Sequence, residues 1–182
     1  VRRRRQRRER PHGLVVTEGK VTEIQYLEQL RQVLPRTAAT FTACGDGTDP
    51  LRVVKRAVKE RTRRDYDWVV CLVDCDEHAT LEEAFALARR EGVEVLVSNP
   101  CFEVWLLWHQ EDWRRPGSTA RQLQDRLTSL KLMKGKNLLG KFPVGNHEAA
   151  RKRAKAAGTV SANCRGPNPS TALPALLDLL QS

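Results

Sequence analysis

Apolar and polar positions along the 182-residue chain change rhythm repeatedly. Short apolar runs at Leu14–Val16, within "TAATFTACGDG", at Trp68–Val73 and within "VEVLVSN" read as four strands. Between them the spacing turns helical. Val21, Ile24, Leu27, Leu30 and Leu34 recur at helical intervals up to Pro35, with Thr22 and Gln25 resembling a capping box. Leu51, Val54 and Val58 mark a helix over about residues 50–64, opened by Asp49 as N-cap and Pro50 at the first position. Thr80 and Glu83 cap a third helix, about residues 80–91, which Gly92 ends. Asn99-Pro100 supplies the cap and first position of a fourth, running to about Asp112.

Strand followed by helix, four times over, predicts an α/β fold: a Rossmann-like, mostly parallel sheet of about four strands with helices on both faces. The unbroken apolar run at Trp68–Val73 suits a strand covered on both sides. Beyond it the pattern predicts a helix near residues 118–131, a Gly/Lys-rich loop "KGKNLLGKFPVGN", a basic helix near 146–157, and a last amphipathic helix through Leu173, Leu176, Leu177 and Leu180. The expected organisation is a basic disordered arm over residues 1–12, an α/β core over 13–115, and a helical C-terminal extension over 116–182 packing on that core.

Composition adds three points. No apolar run approaches the ~20 residues needed to cross a bilayer, and no secretory signal is visible, so no membrane partner is expected. The five cysteines (Cys44, Cys71, Cys75, Cys101, Cys164) are odd in number and lack a Cys-x-x-Cys pair. That argues against a disulfide framework or zinc site and suits a cytoplasmic location. The net charge of +10 is unevenly spread: residues 1–10 carry seven Arg and one Glu, and residues 131–155 carry eight Lys/Arg and one Glu, leaving the remainder at −3. Basic segments around an acidic body suggest a polyanionic partner, although the Arg-rich arm also reads as a solvated tail. Arg52, Lys55, Arg56, Lys59 and Arg63 give the second helix a basic face, suited to bordering a phosphate groove or to simple solvation.

The acids are placed where chemistry is expected. In an open parallel sheet, ligands bind beyond the carboxyl ends of the strands. Glu18 follows the first strand, Asp74 and Asp76 follow the third, and Glu103 falls in the first helical turn after the fourth. Such converging carboxylates repel unless a cation neutralises them, and hard oxygen ligands suit Mg²⁺ or Mn²⁺. The one-residue spacing in Asp74-Cys75-Asp76 lets both carboxylates serve one ion. Glu103 also has a plain structural use at a helix N-terminus. Lys20, His78, Lys134 and Lys136 are candidates to contact phosphate or substrate. Glu23, Glu77, Asn99 and His109 are expected one step behind the reacting groups, His109 stacking beside Trp105 on one helix face. Trp105, Trp108 and Trp113 are expected to pack against the core.

"VVTEGKVTEIQYLEQL", "CLVDCDEH", "VSNPCFEVWLLWH" and "NPSTALPALLDLL" together resemble the RloB-like family, whose catalytic core is similar to a Toprim domain. The resemblance spans about residues 13–182. It implies acid/base chemistry for Glu18 and Mg²⁺ binding by Asp74 and Asp76. It also implies a place in bacterial restriction or abortive-infection loci, sometimes beside an ATPase partner. The expected activity is metal-dependent cleavage of DNA or RNA, including tRNA, with catalytic residues Glu18, Asp74, Asp76 and Glu103 and metal ligands Glu18, Asp74 and Asp76. Glu18 is open to a second role, moving a proton rather than binding metal. The alternative is a non-catalytic nucleic-acid-binding or scaffold component of a defence complex. A haloacid-dehalogenase-type phosphatase fits poorly, because its Asp-x-Asp follows the first strand. Nothing in the chain suggests the sugar-nucleotide pocket of a glycosyltransferase.

Overall fold

The structure is a computed structural model that describes residues 10–36, 38–46, 49–75 and 79–182. Residues 1–9 of the arm expected over 1–12, and Asp76, Glu77 and His78 from the acidic segment, lie outside the described residues, while His12 of that stretch begins a strand. The chain runs β1 (His12–Thr17), α1 (Thr22–Val33), β2 (Thr40–Gly45), α2 (Pro50–Arg61), β3 (Trp68–Asp74), α3 (Leu81–Glu91), β4 (Glu94–Asn99) and α4 (Glu103–Trp108). The C-terminal extension follows as α5 (Ala120–Ser129), β5 (Met133–Lys134), β6 (Asn137–Leu138), a 3₁₀ turn (Val144–Asn146), α6 (His147–Ala157), β7 (Ser170–Thr171) and α7 (Pro174–Gln181).

The sheet order is β2-β1-β3-β4-β7. The first four strands are parallel, and β7 pairs antiparallel with the end of β4. Period-two alternation splits the strand residues between two cores. Val15, Val70, Leu72 and Leu96 pack on one side with Tyr26, Leu27 and Leu30 of α1, Trp105 and Trp108 of α4, and Leu176, Leu177 and Leu180 of α7. Leu14, Val16, Val69, Cys71, Val73, Val95 and Val97 pack on the other with Val53, Val54 and Ala57 of α2 and Ala84, Phe85 and Ala88 of α3. Each fully buried Val, Leu or Phe side chain among these contributes about 1.5–3 kcal/mol. Because Leu123, Leu127, Ala150 and Ala154 of α5 and α6 join the first of these clusters, the extension shares a core with the sheet. Trp105, Trp108 and Trp113 are all buried, the last of them beyond the end of α4.

Several local expectations hold. Asp49 caps α2, accepting from the amides of Leu51 and Arg52, and Gly92 closes α3 in the left-handed conformation at φ 65°. Others are corrected. Thr22 and Gln25 form no capping box, because tertiary partners claim both side chains. Thr22 Oγ1 donates to the Lys136 carbonyl, and Gln25 bonds Asn137 and the Leu138 amide. Thr80 makes no side-chain cap and instead donates to Asp49 Oδ1. Asn99 ends β4, and α4 starts at Glu103, three residues later than expected, and stops at Trp108. The "KGKNLLGKFPVGN" segment is not simply a loop: it holds β6 and the 3₁₀ turn, and Lys134 ends β5. All five cysteines are free thiols. No helix among the described residues is long and apolar enough to cross a membrane.

Candidate active site

β1 and β3 lie side by side and parallel, so their carboxyl ends reach the same edge of the sheet. Glu18, the first residue past β1, donates its amide to the Leu72 carbonyl at 2.9 Å. Its side chain returns the tie, with Oε2 accepting the Asp74 amide at 3.1 Å. Asp74, the last residue of β3, accepts the Phe102 amide on Oδ1 at 2.8 Å, which binds it to the start of α4. Glu103 opens α4 and accepts from Gln124 Nε2 of α5 at 2.8 Å. Glu23, in the first turn of α1, accepts the Gly19 amide at 3.1 Å.

These four carboxylates line one cleft of about 530 Å³, together with Asp49, Gln124, Lys20 and Lys136. Glu23 and Glu103 are only 7% and 9% exposed, so their charges are poorly screened. Burial raises the Asp74 carboxyl well above the usual carboxylate range, and repulsion from Glu23, Glu103 and Glu18 raises it further against the lowering effect of the Phe102 amide. Burial likewise raises Glu23, with Glu103 and Glu18 adding repulsion. Cys101 lines the same cleft, but burial and the neighbouring Glu103 and Asp74 charges push its thiol up, which makes it a poor nucleophile.

The loop carrying Glu18 and Lys20 is held on three sides. Thr17 Oγ1 donates to the Gly19 carbonyl at 2.6 Å. A Cβ on Gly19 would sit 1.9 Å from Glu23 Oε2, so only glycine lets that carboxylate close on the loop. Gly45, ending β2, packs as tightly: its Cβ would lie 2.7 Å from the Gly19 carbonyl oxygen and 2.8 Å from Lys20 Cα. The acidic groups are thus set by backbone geometry before any ligand arrives.

The donor set is all hard carboxylate oxygen, and the mutual repulsion that lifts Asp74 is what a divalent cation would relieve. On both counts the residues fit Mg²⁺ or Mn²⁺. Among the described residues, no three His, Cys, Asp or Glu side chains are arranged to hold a metal ion. Asp76, the expected second member of the Asp-x-Asp pair, lies outside them, as do Glu77 and His78.

Of the remaining expected residues, Lys136 reaches the cleft from the β5–β6 hairpin, whereas Lys134 is exposed and outside its lining. Asn99 and His109, expected just behind the reacting groups, are elsewhere. Asn99 Nδ2 donates to the Gly166 carbonyl and secures the long loop before β7. His109 is buried among Tyr26, Trp105 and Phe142. Its Nδ1 lies 2.9 Å from the Trp105 carbonyl and so carries the proton, leaving Nε2 to accept from the Tyr26 hydroxyl. Burial holds this imidazole neutral, down to about 4.

Asp49 and Gln124 were not anticipated in the cleft. Asp49 was legible only as a helix cap, and Gln124 reads as one more polar residue on an amphipathic helix. A larger cleft of about 700 Å³ lies beside α5. It lies away from the strand ends, and its Arg126 and Glu111 neutralise one another at 2.7 Å.

A family model described as RloB-like protein matches residues 13–180. No curated protein and no solved structure matches the chain.

Proposed function

The chain belongs to the RloB-like family, and from that premise we propose that it is a metal-dependent nuclease that hydrolyses phosphodiester bonds of DNA or RNA in bacterial antiviral defence. The observation that carries the reading is the convergence of Glu18, Glu23, Asp74 and Glu103 with Lys20 and Lys136 on one cleft at the carboxyl edge of the sheet. Lysines beside a carboxylate cluster suit a phosphate group that must be held against a cation. The mostly parallel sheet with helices on both faces and a helical C-terminal extension accords with a Toprim-like core.

Asp74, Asp76 and Glu18 would hold Mg²⁺ or Mn²⁺, which supplies charge neutralisation and an activated water when bound. Lys20, at the entry of α1, and Lys136, on the hairpin whose backbone is tied to Thr22, receive the phosphate. Glu103, steadied by Gln124, and Glu23, steadied by the Gly19 amide, keep the cleft negative enough to favour a cation over a bare anionic substrate. Where Glu18 is not a ligand, its fixed carboxylate is placed to move a proton. The reading extends to an ATPase partner, which accompanies some members of the family, and to the cytoplasm, which the free thiols suit.

Incubation of the purified chain with plasmid, single-stranded DNA and total tRNA, in Mg²⁺, Mn²⁺ or chelator, tests the proposal. Cleavage of at least one substrate with metal, and none with chelator, supports it. Binding of nucleic acid without cleavage under any metal, with the ATPase partner present or absent, replaces it with the scaffold reading.

A further inference from the structure

We propose that the outward face of α2 is a track for the phosphodiester backbone of the nucleic-acid substrate, leading away from the acidic cleft; the inference rests on the nuclease reading above. α2 buries Val53, Val54 and Ala57 against the sheet and turns Arg52, Lys55, Arg56 and Lys59 outward, all of them exposed. Arg56 is paired with Glu60 at 2.7 Å, and Glu60 also holds Arg63 at 2.9 Å. Among the described residues, Arg52, Lys55 and Lys59 are in no ion pair. They fall at i, i+3 and i+7, one line along the helix that spans about 10 Å.

This row is not explained by helix stability. α2 has no acid in its first turn apart from the capping Asp49, and Arg52 stands where the helix dipole disfavours a cation. Arg52 with Lys55 and Lys55 with Lys59 are like-charge neighbours at i+3 and i+4, which repel. Lys59, in the last turn, suits the dipole; a row whose members repel one another, yet lie exposed in a line, fits a polyanion that neutralises all three.

The position of the row points to the same partner. Asp49, which caps α2, also lines the acidic cleft, so the basic line starts within a turn of the carboxylates. Gly45 at the end of β2 packs on Gly19 and Lys20 and fixes this side of the cleft. At the opposite end of α2, Arg64 and Arg10 line a separate cleft of about 400 Å³. Backbone phosphate contacts of this kind position a strand without reading its sequence.

The test is equilibrium binding by fluorescence anisotropy, with the full chain in chelator to prevent turnover. Single-stranded DNA, duplex DNA and RNA of one sequence are the separate arms. Arg52→Ala/Lys55→Ala/Lys59→Ala is compared with Arg52→Lys and with Arg90→Ala/Arg165→Ala, an exposed charge control outside α2 and outside both basic segments. The track predicts a loss of tenfold or more in the triple variant and little change in the other two. It also predicts a shallower salt dependence, by about two in the log–log slope for single strands and nearly three for duplex. Circular dichroism melting confirms that the variants fold. Affinity of the triple variant within twofold of wild type in every arm overturns the track and leaves the nuclease reading standing. Absence of binding by the wild-type chain also overturns the track, and the nuclease reading is then decided by the cleavage assay with metal.

Discussion

The Asp74 amide donates to Glu18 Oε2 across 3.1 Å, tying the end of β3 to a residue 56 positions earlier. The bond uses one carboxylate to fix the backbone that presents another. Glu18→Gln keeps an oxygen acceptor for that amide and removes the charge, whereas Glu18→Ala removes both. Glu18→Gln is expected to melt like wild type while cleavage falls at least 100-fold. Glu18→Ala is expected to lose a further ~1 kcal/mol of stability. Denaturant titration beside a cleavage assay separates the two effects.

Gly19 is the position where sequence identity and site geometry are most tightly linked. Gly19→Ala would place a methyl group 1.9 Å from Glu23 Oε2, which forces the carboxylate or the loop to move. The carboxylate is the mobile end of its side chain, so the expected cost is about 1 kcal/mol, that of its lost bond from the Gly19 amide. A displacement of Glu18 and Lys20 by about 1 Å is expected to lower turnover by ~100-fold. Urea unfolding and single-turnover kinetics measure the two losses.

The hairpin's hold on α1 gives a different signature. Thr22→Val removes the hydroxyl that donates to the Lys136 carbonyl at 2.7 Å. The tip then loses its anchor, with ~1 kcal/mol lost from stability. Because Lys136 is assigned to phosphate binding, KM is expected to rise more than kcat falls in steady-state assays.

His109 sets a pH response unrelated to catalysis. Its folded-state value, about 4, lies below the ordinary 6.5, so the unfolded chain takes up a proton that the folded chain refuses. The stabilisation is present above pH 6.5 and is lost as pH falls toward 4. Between pH 7 and pH 5 this group alone removes about 2 kcal/mol. In His109→Phe, which has no proton to gain, that part of the pH dependence is expected to vanish from urea unfolding curves.

The sequence made the sheet legible because the strands at Leu14, Val70 and Val95 are apolar on both faces and separated by amphipathic helices. β7 was hidden because it is only Ser170 and Thr171, two polar residues whose pairing with Asn99 and Ser98 is visible only in three dimensions. Thr22 and Gln25 misled for the same reason: a local cap and a tertiary contact call for the same side chains, and the hairpin, 114 and 113 residues away, took them. In the candidate site, Glu18, Asp74 and Glu103 could be read from their positions after strands. Gln124 could not, since its only distinguishing feature is the Glu103 carboxylate it touches.

Calorimetric titration of Mn²⁺ and Mg²⁺ into the wild-type chain and Asp74→Asn tests most directly whether the carboxylate edge is a cation site. The Asn side chain keeps an acceptor for the Phe102 amide, so the variant is expected to fold. The account predicts saturable uptake by wild type that is lost or weakened at least tenfold in Asp74→Asn. No uptake by wild type, or equal uptake by both, would contradict it.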